Sequence, residues 1–425
     1  MAFTFSDKGY PSLSSGEEVP FSLVLENYYS DYESTKVIDE AVSAFLEKYK
    51  IKGASVAVTR DEKLVYAKGF GFANVEKQEQ VKPGHLFRLA SVSKLITAVA
   101  VMKLKEEGLL SLDEKVFGPG GILNDSCFLN YRDPRYEDIE VKHLLNHTAG
   151  WSRRNGDPVF NSLYIARKLK VPPPASFDQV LAYALSAKLS SDPGKKYSYS
   201  NLGYVILGKI IEKKSGMPYQ DYVVMHILKP VGIHDMHLGH SFYHEKYRNE
   251  VHYYNEGKTT RTYSINGSGQ MVPAYYGGNN MELLGPAGGW VASAPELAKF
   301  ITAVDAFNIQ PDILRPEDLE IMTNPELSGK GLFGWRGSDF NGTWWRTGYL
   351  EGSAAMIVRQ HDGTNWVILL NTTTTRQSHI HRYVSSMMFK AVNSVRQWPG
   401  IDLFIPEKKA GDDLSLLMSA NPKVL

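Results

Sequence analysis

The sequence predicts an α+β fold: an antiparallel β-sheet flanked by helices, with a helical insertion lobe between its strands. Three observations predict it. Near the start, GASVAVTRDEKLVYAKGFG holds two β-branched runs joined at Arg60–Lys63 as a hairpin. Near the other end, SAAMIVRQ and NWVILLNT flank HDGT, a second hairpin with an Asp-Gly turn. Between them the apolar period becomes helical, in segments at 92–107, 138–145, 162–169, 176–186, 202–214 and 219–228 separated by Pro and Gly.

In chain order, residues 1–35 read as an irregular N-terminal arm, polar and aromatic, packed on the body by Phe21, Tyr28, Tyr29 and Tyr32. Val37, Ile38, Val42, Phe45 and Leu46 then follow a helical period. Residues 36–400 form the main domain, its sheet lobe at 36–90 and 286–400 and its mainly helical lobe at 91–285. The Tyr-, Gly- and Asn-rich stretch 240–285 is either a long loop or short irregular strands. A helix runs from His379 to about Arg396, and 401–425 is a C-terminal tail.

The chain has 425 residues, 43% apolar and 22% charged, which excludes a mostly disordered protein. Forty-seven basic residues balance 46 acidic ones, so no sequence-wide field gathers nucleic acid or anionic lipid. A single cysteine, Cys127, excludes an intramolecular disulfide and a cysteine zinc cage. No apolar run approaches the ~20 residues of a membrane span, and the first residues do not read as a secretory leader.

The sharpest chemical signal is FRLASVSKLITAVAVMKLKEEG, whose Val92, Leu95, Ile96, Val99 and Met102 mark a helix with Ser91 at its start. Lys94 lies one turn on, where an amine can reach the hydroxyl and guide its proton. An arbitrary S-x-x-K is usually a Ser cap and a solvated Lys. This helix is apolar almost all round, so a Lys inside it is costly without a task, and no other S-x-x-K occurs. Tyr199-Ser200-Asn201 follows a Pro-Gly turn and leads into the apolar helix 202–214. A phenol near an ammonium ionises more readily and can serve as general base; the plainer alternative is a core Tyr and a capping Asn. Arg346-Thr347-Gly348 precedes a strand of the C-terminal hairpin, where a cation, a hydroxyl and a Gly can line a groove. Lys214-Ser215-Gly216 is similar but reads as a helix stop, a helix length of about 20 Å from Asn201.

In this order the three elements resemble the serine β-lactamase and penicillin-binding-protein family, in its class C, esterase and D-peptidase branch. GLLSLDEKV, LLNHTAGW and GPAGGWVASAPELAKF look like its connecting segments, and the resemblance spans about residues 36–397. It implies a β-lactamase/transpeptidase-like fold and a serine hydrolase that forms an acyl-enzyme on an ester, amide or β-lactam carbonyl. The alternative is a penicillin-binding or sensor protein that acylates without efficient turnover.

By that resemblance Ser91 is the nucleophile, Lys94 assists its deprotonation and Tyr199 is the base. Asn201, Arg346, Thr347, Gly348 and Tyr349 bind substrate, with the amides of Ser91 and Tyr349 as oxyanion hole. The family usually carries Lys or His where this chain has Arg346, which leaves electrostatic roles but no proton exchange. The family's Ser-Asp-Asn element with its separate glutamate base is absent, against the class A mechanism. No metal or organic cofactor is implied. The partner is a small-molecule or short-peptide substrate, and a periplasmic or secreted location accords with the family.

Tyr275, Tyr276, Trp290, Trp344 and Trp345 are expected to wall the cleft, which favours esterase or peptidase over dedicated β-lactamase. His234, His237 and His240 have metal-like spacing but sit in a Gly-flanked loop, and no metal is assigned to them. His379 and His381 are read as solvated at a helix start, and His147 as a brace.

Overall fold

Near-continuous burial along the central strands, which are covered on both faces, decides how they assemble in the computed structural model, which describes residues 19–152, 156–307, 309–339, 341–376 and 379–405. The main sheet has seven strands: β1 (Gly53–Arg60), β2 (Lys63–Asn74), β3 (Glu79–Gln80), β4 (Gly337–Ser338), β5 (Trp344–Leu350), β6 (Ser353–Arg359) and β7 (Thr364–Leu370). Their order is β4-β5-β6-β7-β1-β2-β3, so both chain ends supply one antiparallel sheet, joined through β1 and β7. Asp61 and Glu62 turn the first hairpin with φ of 51° and 59°, the left-handed pair that matches strand twist. Arg346-Thr347-Gly348, expected ahead of a strand, lies inside β5. The C-terminal region is therefore a three-stranded meander, with Gly352 at φ 81° turning β5 into β6.

The sheet has two buried faces. Ala354, Met356 and Val358 of β6 join one apolar cluster with helices α1 (Lys36–Lys48) and α5 (Ile380–Asn393). Ala355 and Ile357, one residue out of phase, join the other with the helical lobe. That lobe centres on α2 (Ser93–Glu106) and α3 (Asn201–Ser215), while α4 (Ala294–Thr302) packs on β1 and β7. α2 is buried on nearly every side, from Ser93 through Met102. Gly216 ends α3 at φ 72°, as expected of a helix stop. The helix expected at 219–228 is α-helical only over Tyr219–Val223, then widens to a π turn ahead of Pro230, which lacks the N–H to continue the ladder.

Of the two alternatives for 240–285, the short strands form, at Tyr254–Asn255, Arg261–Tyr263 and Met271–Pro273. Of the arm's expected contacts, Phe21 and Tyr29 pack against the main core, and shorter side chains join them. Ser22, Leu25 and Ser30 are buried, whereas Tyr28 and Tyr32 are 51% and 38% exposed. Ser30 Oγ donates to the Ala67 carbonyl and accepts from its N–H, a short polar side chain docking the arm on β2. Residues 1–18 and 406–425 of the expected arm and tail lie outside the described residues. No helix among the described residues is long and apolar enough to cross a membrane.

Candidate functional site

Ser91 sits in a 3-10 turn, Ala90–Val92, that runs directly into α2. Ala90 is held at φ 48°, a left-handed conformation that a residue with a Cβ adopts only under local constraint. Lys94, one turn on, is 0% exposed. Its Nζ donates to Ser91 Oγ at 3.2 Å, to Asn201 Oδ1 at 2.7 Å and to the Ala287 carbonyl. The buried amine thus spends three N–H donors on three acceptors. Burial lowers its pKa to about 8, Arg346 pushes the same way, and Tyr199 and Asp157 oppose.

α3 delivers the second element. Ser200 caps it, its Oγ accepting from the Gly203 N–H at 3.3 Å, which fixes the backbone on either side. Tyr199 then places its phenol oxygen 2.7 Å from Ser91 Oγ. Burial alone would raise this phenol, but the charges of Lys94 and Arg346 outweigh it and bring the pKa down to about 8. Phenol and ammonium therefore titrate as a pair, and the pair can hold or release one proton beside the serine hydroxyl.

β5 delivers the third. Arg346, Gly348 and Leu350 are buried on the lobe-facing side, and the residues between them face the other way. Arg346, expected to meet substrate, is 1% exposed. Its Nε donates to the Ser91 carbonyl at 2.7 Å and its Nη2 to the Tyr199 oxygen at 3.1 Å. It faces the phenol, not the solvent. Gly348 lies so close under the serine turn that a Cβ there would stand 3.0 Å from the Ser91 nitrogen. By the same alternation Thr347 and Tyr349 point to the opposite face, where the Tyr349 ring packs against the α1/α5 cluster. What these two present near Ser91 is main chain. β4 pairs only with Trp344 and Trp345, so the outer edge of β5 beyond them carries no strand among the described residues.

Further groups belong to this cluster and stand outside the three motifs. Asp157 Oδ2 accepts from the Asn201 backbone N–H at 2.7 Å and from its Nδ2 at 3.2 Å. Asn201, expected to donate to substrate, thus turns its amide nitrogen to Asp157 and its oxygen to Lys94. His147 lies against the Tyr199 ring, centroids 4.5 Å apart, and accepts from the Ser200 N–H. Burial holds its imidazole well below the usual histidine value, with Arg346 and Lys94 adding to the effect, so it braces the site as a neutral ring. His381, expected in solvent, is half-buried with its Nε2 2.9 Å from the Gly348 carbonyl.

Three of the five aromatic residues expected to wall the cleft face elsewhere, while Tyr275 and Tyr276 pack half-buried against the main core. Trp290 is buried in the core, donating to Tyr219, and Trp345 faces the α1/α5 cluster. Trp344 lies under the Arg359 guanidinium and is tilted at 56° against Trp335. The preference for ester or peptide over β-lactam loses that support. Of the three histidines with metal-like spacing, His237 meets Asp235 at 2.8 Å. His240 lies with Glu245 and Glu282, their ligand atoms within 4.8 Å of one another.

An antiparallel sheet between terminal helices and a helical lobe, with a serine–lysine turn laid against one strand, is the architecture of the serine β-lactamases and transpeptidases. The comparisons agree: the family described as Beta-lactamase matches residues 38–385, and the chain belongs to it. Penicillin-binding protein 4* of Bacillus subtilis (strain 168) is 32% identical over 189 residues, 44% of this chain and 38% of that protein. The match thus spans well under half the length of that relative. Among solved structures, the octameric penicillin-binding protein homologue from Pyrococcus abyssi is 26% identical, covers 87% of this chain and 80% of its own, and superposes with a TM-score of 0.62. The D-amino acid amidase of Ochrobactrum anthropi SV3 shares the fold at 19% identity, covering 86% of this chain and 99% of its own, with a TM-score of 0.65.

Proposed function

We propose that this protein is a serine hydrolase that forms an acyl-enzyme at Ser91 on an ester, amide or β-lactam carbonyl. The observation that carries the reading is the 2.7 Å approach of the Tyr199 oxygen to Ser91 Oγ, with Lys94 at 3.2 Å from the same atom. In this reading the ionised phenol takes the Ser91 proton as Oγ attacks the carbonyl carbon. The oxyanion that forms is met by the Ser91 and Tyr349 N–H groups. The bond to the leaving group then breaks, and the proton passes from Tyr199 to it. Water, activated by the same phenol, attacks the acyl-enzyme and frees Ser91. Arg346 stabilises the phenolate by charge throughout and never exchanges a proton.

The test uses a nitrophenyl ester and a β-lactam, with turnover and intact mass followed together. Wild type should turn over at least one, with an acyl adduct that maps to Ser91, and Ser91→Ala should lose both. Tyr199→Phe should slow acylation by roughly 10²–10⁴ at nearly unchanged binding. A Phe variant of normal rate would move the base role to Lys94. An adduct that persists without turnover would favour the sensor.

A further inference from the structure

Asn201 stands between two groups of opposite hydrogen-bonding character. Ionised Lys94 offers only donors, and an ionised Asp157 offers only acceptors. Asn201 takes Lys94 Nζ on Oδ1 at 2.7 Å and gives Nδ2 to Asp157 Oδ2 at 3.2 Å. Turned over, the amide would set oxygen against carboxylate and NH₂ against ammonium, so a single orientation satisfies both neighbours. The Asn201 backbone N–H donates to the same carboxylate oxygen at 2.7 Å. The other oxygen, Oδ1, accepts from the Val159 N–H at 3.2 Å and caps the turn Pro158–Asn161. Asp157 is therefore held on one side and holds α3 and the Asn201 amide on the other.

Charge points the same way. Lys94 and Arg346 place two buried cations around one phenol. Asp157 is a half-buried carboxylate that acts on Lys94 in the opposite sense to Arg346. Without it the ammonium would lose both the fixed acceptor on Asn201 and a counter-charge. We propose that Asp157 is a positioning residue of the Ser91 site: through Asn201 it fixes the Lys94 ammonium beside Ser91 Oγ and offsets the charge of Arg346. This rests on the hydrolase reading above.

The experiment compares wild type, Asp157→Asn and Asp157→Glu in the full chain, with kcat/KM for a nitrophenyl ester measured across pH and Tm in parallel. Asn at 157 removes the charge and keeps an acceptor for the backbone N–H of Asn201, but turns its NH₂ to the Val159 N–H and gives up that cap, so Tm should fall only slightly. The plateau of kcat/KM should fall about tenfold, the scale of a lost positioning contact. The acid limb should move to lower pH by about half to one unit, because the Lys94–Tyr199 pair sheds its first proton more easily without a nearby anion. Asp157→Glu, with charge restored on a longer arm, should return the limb while the plateau stays low.

A residue that only supports the fold would lower Tm and scale the rate equally at every pH. An active wild type with an unmoved limb in Asp157→Asn overturns the proposal alone. A wild type that neither turns over ester nor takes up an acyl group at Ser91 overturns the hydrolase reading and this one with it. Should Asp157→Asn fail to fold, Asp157→Glu decides: a fallen plateau with an unmoved limb supports the proposal, and a wild-type plateau overturns it.

Discussion

At residue 348 there is no room for a side chain. A Cβ on Gly348 would stand 2.1 Å from the Leu89 carbonyl oxygen, and neither β5 nor the serine turn has a flexible tip to give way. Gly348→Ala should therefore cost about 1–3 kcal/mol of stability, the range for overpacking, and push β5 off Ser91. Because a displacement of about 1 Å can cost roughly 10²-fold, kcat/KM should fall by that order. Denaturant midpoints and ester kinetics check it, and an alanine variant of wild-type rate would show that the strand can shift without opening the site. Ser91, Lys94, Tyr199 and Arg346 were legible in the sequence because each carries local context, a spacing or a turn ahead of a helix. Asp157 was not. Its Asp-Pro context signals only a capped turn, and its partner Asn201 lies 44 residues on, where no spacing rule reaches. Arg346 was legible as a residue but not by direction, since its burial against Tyr199 depends on which face β5 turns to the lobe.

Among the elements, α3 matters through its first turn. Ser200 is its cap, and Tyr199 and Asn201 flank that residue, so one hydrogen bond of 3.3 Å to the Gly203 N–H sets both neighbours. Ser200→Ala should cost about 1 kcal/mol, the usual value of a lost cap. If the cap also aims Tyr199, ester turnover should fall by more than that loss of stability explains while Tm drops only slightly. Turnover unchanged at the reduced Tm would leave the cap a purely structural device. The helices α2 and α3 and both expected hairpins could be read from period and turn chemistry, which are local. The added strand β5 and the docking of the arm through Ser22 and Ser30 could not. Each depends on what packs against the segment from far along the chain.

Across the whole molecule, the loop that follows α4 packs Val304 and Leu314 into the core but meets the β1–β2 turn through buried acids. Glu62 accepts from the Gln310 N–H at 2.7 Å, while its buried Oε1 has no hydrogen-bond partner among the described residues. Asp312 accepts from the Asp305 N–H at 3.1 Å, and Asp305 from Asn365 Nδ2 at 2.9 Å and the Phe307 N–H at 3.0 Å. Arg359 faces the same group, but its Nε donates to the Asp305 carbonyl and its guanidinium stacks between Phe307 and Trp344. Burial, then mutual repulsion, raises Glu62 and Asp312 to about 7, and burial raises Asp305 to about 6. A carboxyl raised on folding favours the native state while protonated, so this contribution is full below the ordinary carboxyl values of about 4 and is lost as pH climbs from there through 6 to 7. His147 works against it, since an imidazole lowered on folding stabilises above its ordinary value and that stability is lost as pH falls. The raw pH profile of Tm therefore mixes two signs, and the clean quantity is the difference between wild type and variant. Glu62→Gln and Asp312→Asn should each raise stability by about 1–3 kcal/mol near pH 8, the scale of a shift of more than two pKa units discounted for partial exposure. Below about pH 4, where the carboxyls of the unfolded chain carry their protons as well, the gain should vanish. Chemical denaturation of the three proteins at the two pH values makes the comparison, and a gain of equal size at both would mean that the acids are not held protonated by the fold.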